Sequence, residues 1–183
     1  GSMNRNRILK INSALKKANE DANKVDSKTP LAQYEEGEST SALKVVKSAG
    51  IDPATGQEVF IKLNGERTFE YSADDKFVIG DTEPKFRGTV STNLFYKGFS
   101  LYLLGRYECG AYLYNTTRAT KVEGADPKKN ADKRVFSSRW KNPGDKVDNP
   151  MPIYANPYRW DRFSSRTIKS TDNIRLREMT VGY

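Results

Sequence analysis

The chain has 183 residues, 36% hydrophobic and 30% charged, with a formal net charge of +8 and a mean hydropathy of −0.77. That length supports one domain with a core, while the lack of histidine removes the commonest general base and metal ligand. A single cysteine, Cys109, excludes an intrachain disulfide, and no run approaches the ~18 apolar residues of a membrane helix.

That last exclusion does not extend to membrane strands, because alternation dilutes hydropathy in every window. The charge is uneven. Residues 1–114 hold 16 Lys/Arg against 15 Asp/Glu, and residues 115–183 hold 15 against 8. The basic excess lies in the last third, where it suits acidic sugars, lipid headgroups, nucleic acid or a solvated loop surface.

In chain order, Gly1 and Ser2 before Met3 read as a cleaved expression tag, so residues 1–3 are set aside from the fold. Residues 4–43 read as a strand end, a polar loop and a short helix. Within 5–24, Ile8, Ile11, Leu15, Ala18 and Ala22 recur at spacings of three and four, which predicts an amphipathic helix. Ile8 to Ile11 also fit the end of a strand.

Residues 44–85 predict a small β unit. Asp52, Pro53 and Gly56 carry turn chemistry, Glu58–Leu63 alternate, and Asn64-Gly65 signals a hairpin. Asp74, Asp75, Asp81 and Glu83 lack the spacing of a calcium loop and fit hairpin turns.

Residues 86–114 carry the strongest pattern. Phe86, Gly88, Val90, Thr92, Leu94 and Tyr96 share one face, with Arg87, Thr89, Ser91 and Asn93 on the other. After Lys97-Gly98 the alternation resumes: Phe99, Leu101, Leu103, Gly105 and Tyr107 oppose Ser100, Tyr102, Leu104, Arg106 and Glu108. Such strands are about twice the usual length of 5–6 residues and match the ~9–11 residues of a tilted membrane strand. Tyr96 and Phe99 stand where an interfacial aromatic girdle would lie. A long hairpin packed on a soluble core shows the same alternation.

Residues 115–173 show little periodicity and read as a long loop. Arg139, Trp140, Tyr154, Tyr158, Arg159 and Trp160 are its candidate ligand-binding residues, since aromatic faces stack on sugars or peptides and arginine forks match carboxylates. Both tryptophans equally suit a small core of the loop's own. Residues 174–183 alternate again, with Met179, Val181 and Tyr183 on one face and Arg175 and Arg177 expected to continue it.

Four phrases together resemble the SusC/RagA family of TonB-linked outer-membrane transporters. They are YEEGEST with SALKVVKSAGIDPATGQEVF (34–60), VIGDTEPKFRGTVSTNLFYKGFSLYLLGRYECGAYLYNTT (78–117), NADKRVFSSRWKNPGD (130–145) and SSRTIKSTDNIRLREMTVGY (164–183). Their order and spacing match the later part of that family's barrel.

The resemblance implies an all-β fold: antiparallel strands and long extracellular loops of an outer-membrane β-barrel, 22-stranded in the parent protein. The hairpin 86–114 and strand 174–183 would belong to the barrel. Residues 44–85 and 115–173 would be external. Arg87, Asn93, Arg106 and Glu108 would face the lumen, Arg106 and Glu108 as an ion pair.

The implied partners are a SusD-like surface lipoprotein and, for the full-length protein, the TonB complex, with glycan or peptide as cargo and no cofactor. The family's plug, TonB-contacting segment and early strands have no counterpart here. The chain is therefore expected to be a fragment, not transport-competent alone, with Tyr183 at a cut edge.

The alternative is a free-standing β-rich module that binds carbohydrate or protein through its aromatic loop. A hydrolase lacks a carboxylate pair that stands out, and Cys109 has no histidine partner, so no enzyme is expected. Nucleic-acid binding rests on charge alone, without a motif.

Overall fold

The computed structural model describes residues 1–24, 30–123, 130, 132–151 and 163–183. These form two antiparallel sheets of four strands, a two-stranded ribbon and little helix. Among the described residues no helix is long and apolar enough to cross a membrane.

The first sheet is ordered β1 (Ser2–Met3), β6 (Phe86–Tyr96), β7 (Phe99–Cys109), β10 (Asn173–Gly182). β6 and β7 are joined by Lys97 (φ 46°) and Gly98 (φ 88°). Positive φ at both central residues is the twist a two-residue hairpin requires. Pairing runs unbroken from Tyr96 opposite Phe99 to Phe86 opposite Cys109. Residues directly opposite share a face, so the alternation read in each strand merges into one apolar and one polar face.

β10 departs from the expected alternation. Its ladder with β7 slips between Leu176 and Glu178, leaving Arg177 as the extra residue of a β-bulge. Leu176 pairs with Gly105 and Ile174 with Tyr107, on the apolar face. Arg175 pairs with Arg106, on the polar face. The expectation that Arg175 and Arg177 continue the face of Met179 is thus corrected: a bulge inverts the alternation upstream of it. The signal is present in the apolar spacing, Ile174, Leu176, Met179, Val181, which steps by two, three and two.

Among the described residues no layer covers the apolar face of this sheet. Val90 is 66% exposed, Ile174 85% and Val181 65%. Tyr183 folds back at the turn end, its ring 4.7 Å from that of Phe99.

The second sheet is ordered β4 (Arg67–Thr68), β3 (Glu58–Ile61), β2 (Ala42–Ile51), β5 (Lys76–Asp81). β2 is central, and its Val45 and Val46 are fully buried. Its cover comes from far along the chain. Leu43 and Val45 pack with Tyr114, Ala119, Phe163 and Ile168, flanked by Ile79 and Tyr112. The Tyr114 and Phe163 rings meet edge-on at 5.4 Å. The Val46 amide donates to the Phe163 carbonyl at 3.0 Å, and the Ser48 amide donates to Ser165 Oγ, also at 3.0 Å. β8 (Tyr112–Tyr114) and β9 (Ile168–Ser170) pair to close this side.

One core therefore joins 42–81 to 111–123 and 163–170, and the long hairpin leaves the unit between its two halves. The segment read as an aperiodic loop contains a π-helical stretch (Arg118–Glu123), a one-turn α2 (Arg134–Ser137) and β9, with β8 just before it. Elements of three to six residues are too short to show a period.

The amino-terminal helix, α1, spans Ser13–Lys24 and not the whole of 5–24. Asn12 Oδ1 accepts from the Leu15 amide at 2.9 Å and sets its start. Residues before it are extended and tied to other chain segments. The Asn4 amide donates to the Lys85 carbonyl, the Ile8 amide to that of Glu38 and the Gly37 amide to that of Ile8. Ser2 and Met3, set aside as a tag, pair with Arg87 and Phe86. Ladder bonds use backbone groups and so are open to any non-proline sequence.

Candidate functional site

The polar face of the first sheet gathers the four residues expected to face a lumen. Register builds it row by row. Arg87, Glu108 and Asn173 form one row, and Thr89, Arg106 and Arg175 the next. Ser91, Leu104 and Glu178 follow, then Asn93, Tyr102 and Thr180. Arg106 donates to Glu108 along β7 in an ion pair. Arg175 is the member that simple alternation misplaces. The outer two rows carry three arginines against one glutamate.

This polar surface meets the second unit at its upper edge. Gly110, at φ 84°, turns the chain out of β7, and its amide donates to Asp172 Oδ1 at 2.6 Å. The Thr171 amide donates to the Ala111 carbonyl at 2.9 Å. β7 and β10 therefore enter the unit side by side.

Inside the unit lies a buried charge cluster that sequence reading did not single out. Glu123 has a fully buried side chain, bound through both oxygens by Arg166 at 2.6 Å. Arg166 also reaches Glu58 at 3.0 Å and the Asp148 carbonyl at 2.8 Å. Arg118 Nε lies 3.5 Å from Glu123. Burial works against the Arg166 charge, but the Glu58 and Glu123 carboxylates outweigh it and hold the guanidinium above its ordinary pKa. The cluster joins residues 108 and 43 positions apart, too distant for any local motif to mark.

Arg139 belongs to this framework. Its guanidinium donates to the Val122 and Glu123 carbonyls at 2.7 and 2.6 Å, closing the end of the π-helical stretch. Trp140 is an anchor too. Its indole donates to the Pro53 carbonyl at 2.8 Å, and its ring lies against Gly56. Tyr154, Tyr158, Arg159 and Trp160 lie outside the described residues.

Gly56 has φ 70°, and a Cβ there would come within 2.5 Å of the Trp140 ring. Gly56→Ala therefore adds backbone strain to a clash. We expect it to lower stability by about 1–3 kcal/mol, measured by thermal unfolding. An unchanged midpoint would mean that Trp140 is not held there.

Among the described residues no group of three or more acidic or cysteine side chains is placed to hold a metal ion. At the foot of α2, Arg134 hydrogen-bonds Asp132 through its guanidinium and its amide, and holds that carboxyl at about 2.

No family model matches the chain. It is 25% identical over 128 residues to TonB-dependent receptor P39 of Formosa agariphila, covering 70% of this chain and 12% of that protein. Its fold matches part of the RagAB peptide transporter, with a TM-score of 0.66 at 20% identity, over 81% of this chain and 17% of that one. The RagAB peptide importer in its open-open state matches with a TM-score of 0.63 at 21% identity, over 76% of this chain and 15% of that one. The chain thus spans about an eighth to a sixth of the length of these proteins. The resemblance to the SusC/RagA type of TonB-linked transporter, read from four phrases of sequence, is matched in sequence by a TonB-dependent receptor and in fold by RagAB.

Proposed function

We propose that the chain is a segment of an outer-membrane, TonB-dependent importer. β6, β7 and β10 are adjacent staves of its barrel, 22-stranded on the SusC/RagA pattern. The apolar face meets lipid and the polar face lines the interior. The unit built from 42–81, 111–123 and 163–170 stands outside the membrane over the barrel rim.

One observation carries this reading: three neighbouring strands of ten or eleven residues present a continuous apolar face that no described residue covers. A soluble sheet would bury that face. Bilayer hydrocarbon solvates it, provided each strand edge finds a neighbour. Among the described residues, the outer edge of β6 is paired only at its Phe86–Arg87 end, by β1. The segment on this reading does not transport alone.

The remaining partners follow from the same reading: the TonB complex, a SusD-like surface lipoprotein, and a peptide or glycan cargo that enters past the external unit. Tyr154, Tyr158, Arg159 and Trp160 are proposed as cargo contacts on composition alone. Arg139 and Trp140 would hold the loop that presents them.

The core of the external unit favours a second reading, a module that binds carbohydrate or protein without a barrel. That reading leaves the apolar face unexplained.

Cysteine labelling separates the two. In the full-length receptor carrying Cys109→Ser, Ser91→Cys places a thiol on the polar face and Thr92→Cys one on the apolar face. In proteoliposomes a water-soluble maleimide should label the first and spare the second. Equal labelling would remove the barrel assignment of this sheet.

A further inference from the structure

We infer that the bulge at Arg177 builds an anion subsite on the polar face, formed by Arg87, Arg106 and Arg175, that takes a carboxylate of the cargo. The inference rests on that face lining the barrel interior.

The bulge sends Arg175 to the polar side, directly opposite Arg106. Opposed residues in an antiparallel ladder stand about 4.5–5.5 Å apart at Cβ, and like charges in such pairs are destabilising. A straight strand would have avoided the pairing. Arg106 is already engaged by Glu108, and Arg87 stands opposite Glu108 in the next row. Within these two rows one carboxylate serves three guanidinium groups.

Further along the face stands Glu178, one row more distant from the rim, where it accepts from Thr180 Oγ1 at 3.3 Å. With Glu178 included the four rows keep a net positive charge. Arg87 and Arg175 are exposed, and Arg106 is 41% exposed. All three are therefore open to a ligand.

Bulges commonly re-aim a side chain beside a binding site. Forked guanidinium donors match a carboxylate in geometry as well as in charge. The position suits an entry site, since these rows lie at the end of the strands where the external unit joins.

A carboxylate could belong to an acidic peptide or to a uronic-acid sugar. The test uses the full-length receptor in detergent. Its probes are a fluorescent aspartate-rich peptide, the same peptide with asparagine, an oligogalacturonate, and its neutral methyl ester. Tight binding of either acidic probe over its neutral counterpart supports the subsite and identifies the source.

Arg175→Gln should then weaken that binding about tenfold, as loss of a charge-assisted hydrogen bond does. Arg175→Lys should restore part of it. The asparagine and ester probes should be indifferent to both variants. No preference for acid, or acid binding unchanged in both Arg175→Gln and Arg106→Gln, overturns the subsite. If that occurs while the Ser91→Cys receptor labels and the Thr92→Cys receptor does not, the lumenal reading stands and the subsite alone is lost.

Discussion

Arg166→Ala should cost the unit built around β2 about 3–5 kcal/mol, the penalty for leaving buried charge without its partner. Arg166 touches both Glu58 and Glu123, and it also holds the Asp148 carbonyl. Its removal takes the bidentate guanidinium from a fully buried carboxylate and leaves Arg118 at the longer distance of 3.5 Å. The ties between β3, the π-helical stretch and the segment at 163–170 would be lost together. Chemical denaturation of the chain, followed by far-UV circular dichroism, measures this directly.

Replacing Glu58, Glu123 and Arg166 together by apolar residues of similar volume should cost much less, because the desolvation of three charges is then relieved. Among the described residues, Glu58 Oε1 and Arg166 Nε are buried without a hydrogen-bond partner, so the cluster is not ideally satisfied there. A loss below about 1 kcal/mol for Arg166→Ala would mean that water reaches the site and screens it.

The second large effect belongs, on the proposed barrel reading, to the sheet of long strands. Leu103 and Leu104 are neighbours near the middle of β7, equal in composition and opposite in facing. Leu103 lies in the row of Thr92 and Met179, and Leu104 in that of Ser91 and Glu178. In the full-length receptor Leu103→Arg should destabilise the barrel by roughly 2–4 kcal/mol, the cost of arginine facing lipid near the bilayer midplane. Leu104→Arg places the same charge on the polar face and should be close to neutral. Refolding into bilayers against denaturant gives both values. Equal costs would mean that the two faces of this strand do not differ in environment.

The hairpin is the most legible part of this protein. Strand length, the Lys97-Gly98 turn and the separation of faces are all read from local rules: an unbroken period of two and positive φ at the turn. The helix at 13–24 is legible in kind but not in extent. Its cap depends on Asn12, and residues 4–8 are drawn into extended pairing by Lys85 and Glu38, partners remote in sequence.

The candidate site is half legible. Arg87, Asn93, Arg106 and Glu108 stand in regular alternation and fall on one face as expected. Arg175 does not, because one extra residue in β10 reverses every facing beyond it. The step of three between Leu176 and Met179 marks the irregularity, but apolar spacing alone does not say which residue is extruded.

The unit built around β2 is the least legible. Arg139 and Trp140 have the composition of binding residues, yet they bond to backbone carbonyls at Val122, Glu123 and Pro53. Composition states what a side chain can do. It does not state which groups will surround it.

The amino-acid sequence by itself determined a paired, two-faced set of long strands and the resemblance of its phrases to a transporter barrel, because alternation and turn chemistry are local. Only the tertiary structure decided that 42–81 shares one core with 111–123 and 163–170 across the intervening hairpin, that Arg166 clamps Glu58 to Glu123, and that Arg175 stands opposite Arg106. Each of these depends on contacts between residues tens of positions apart, and such contacts are set by packing and register, which leave no periodic trace in the chain.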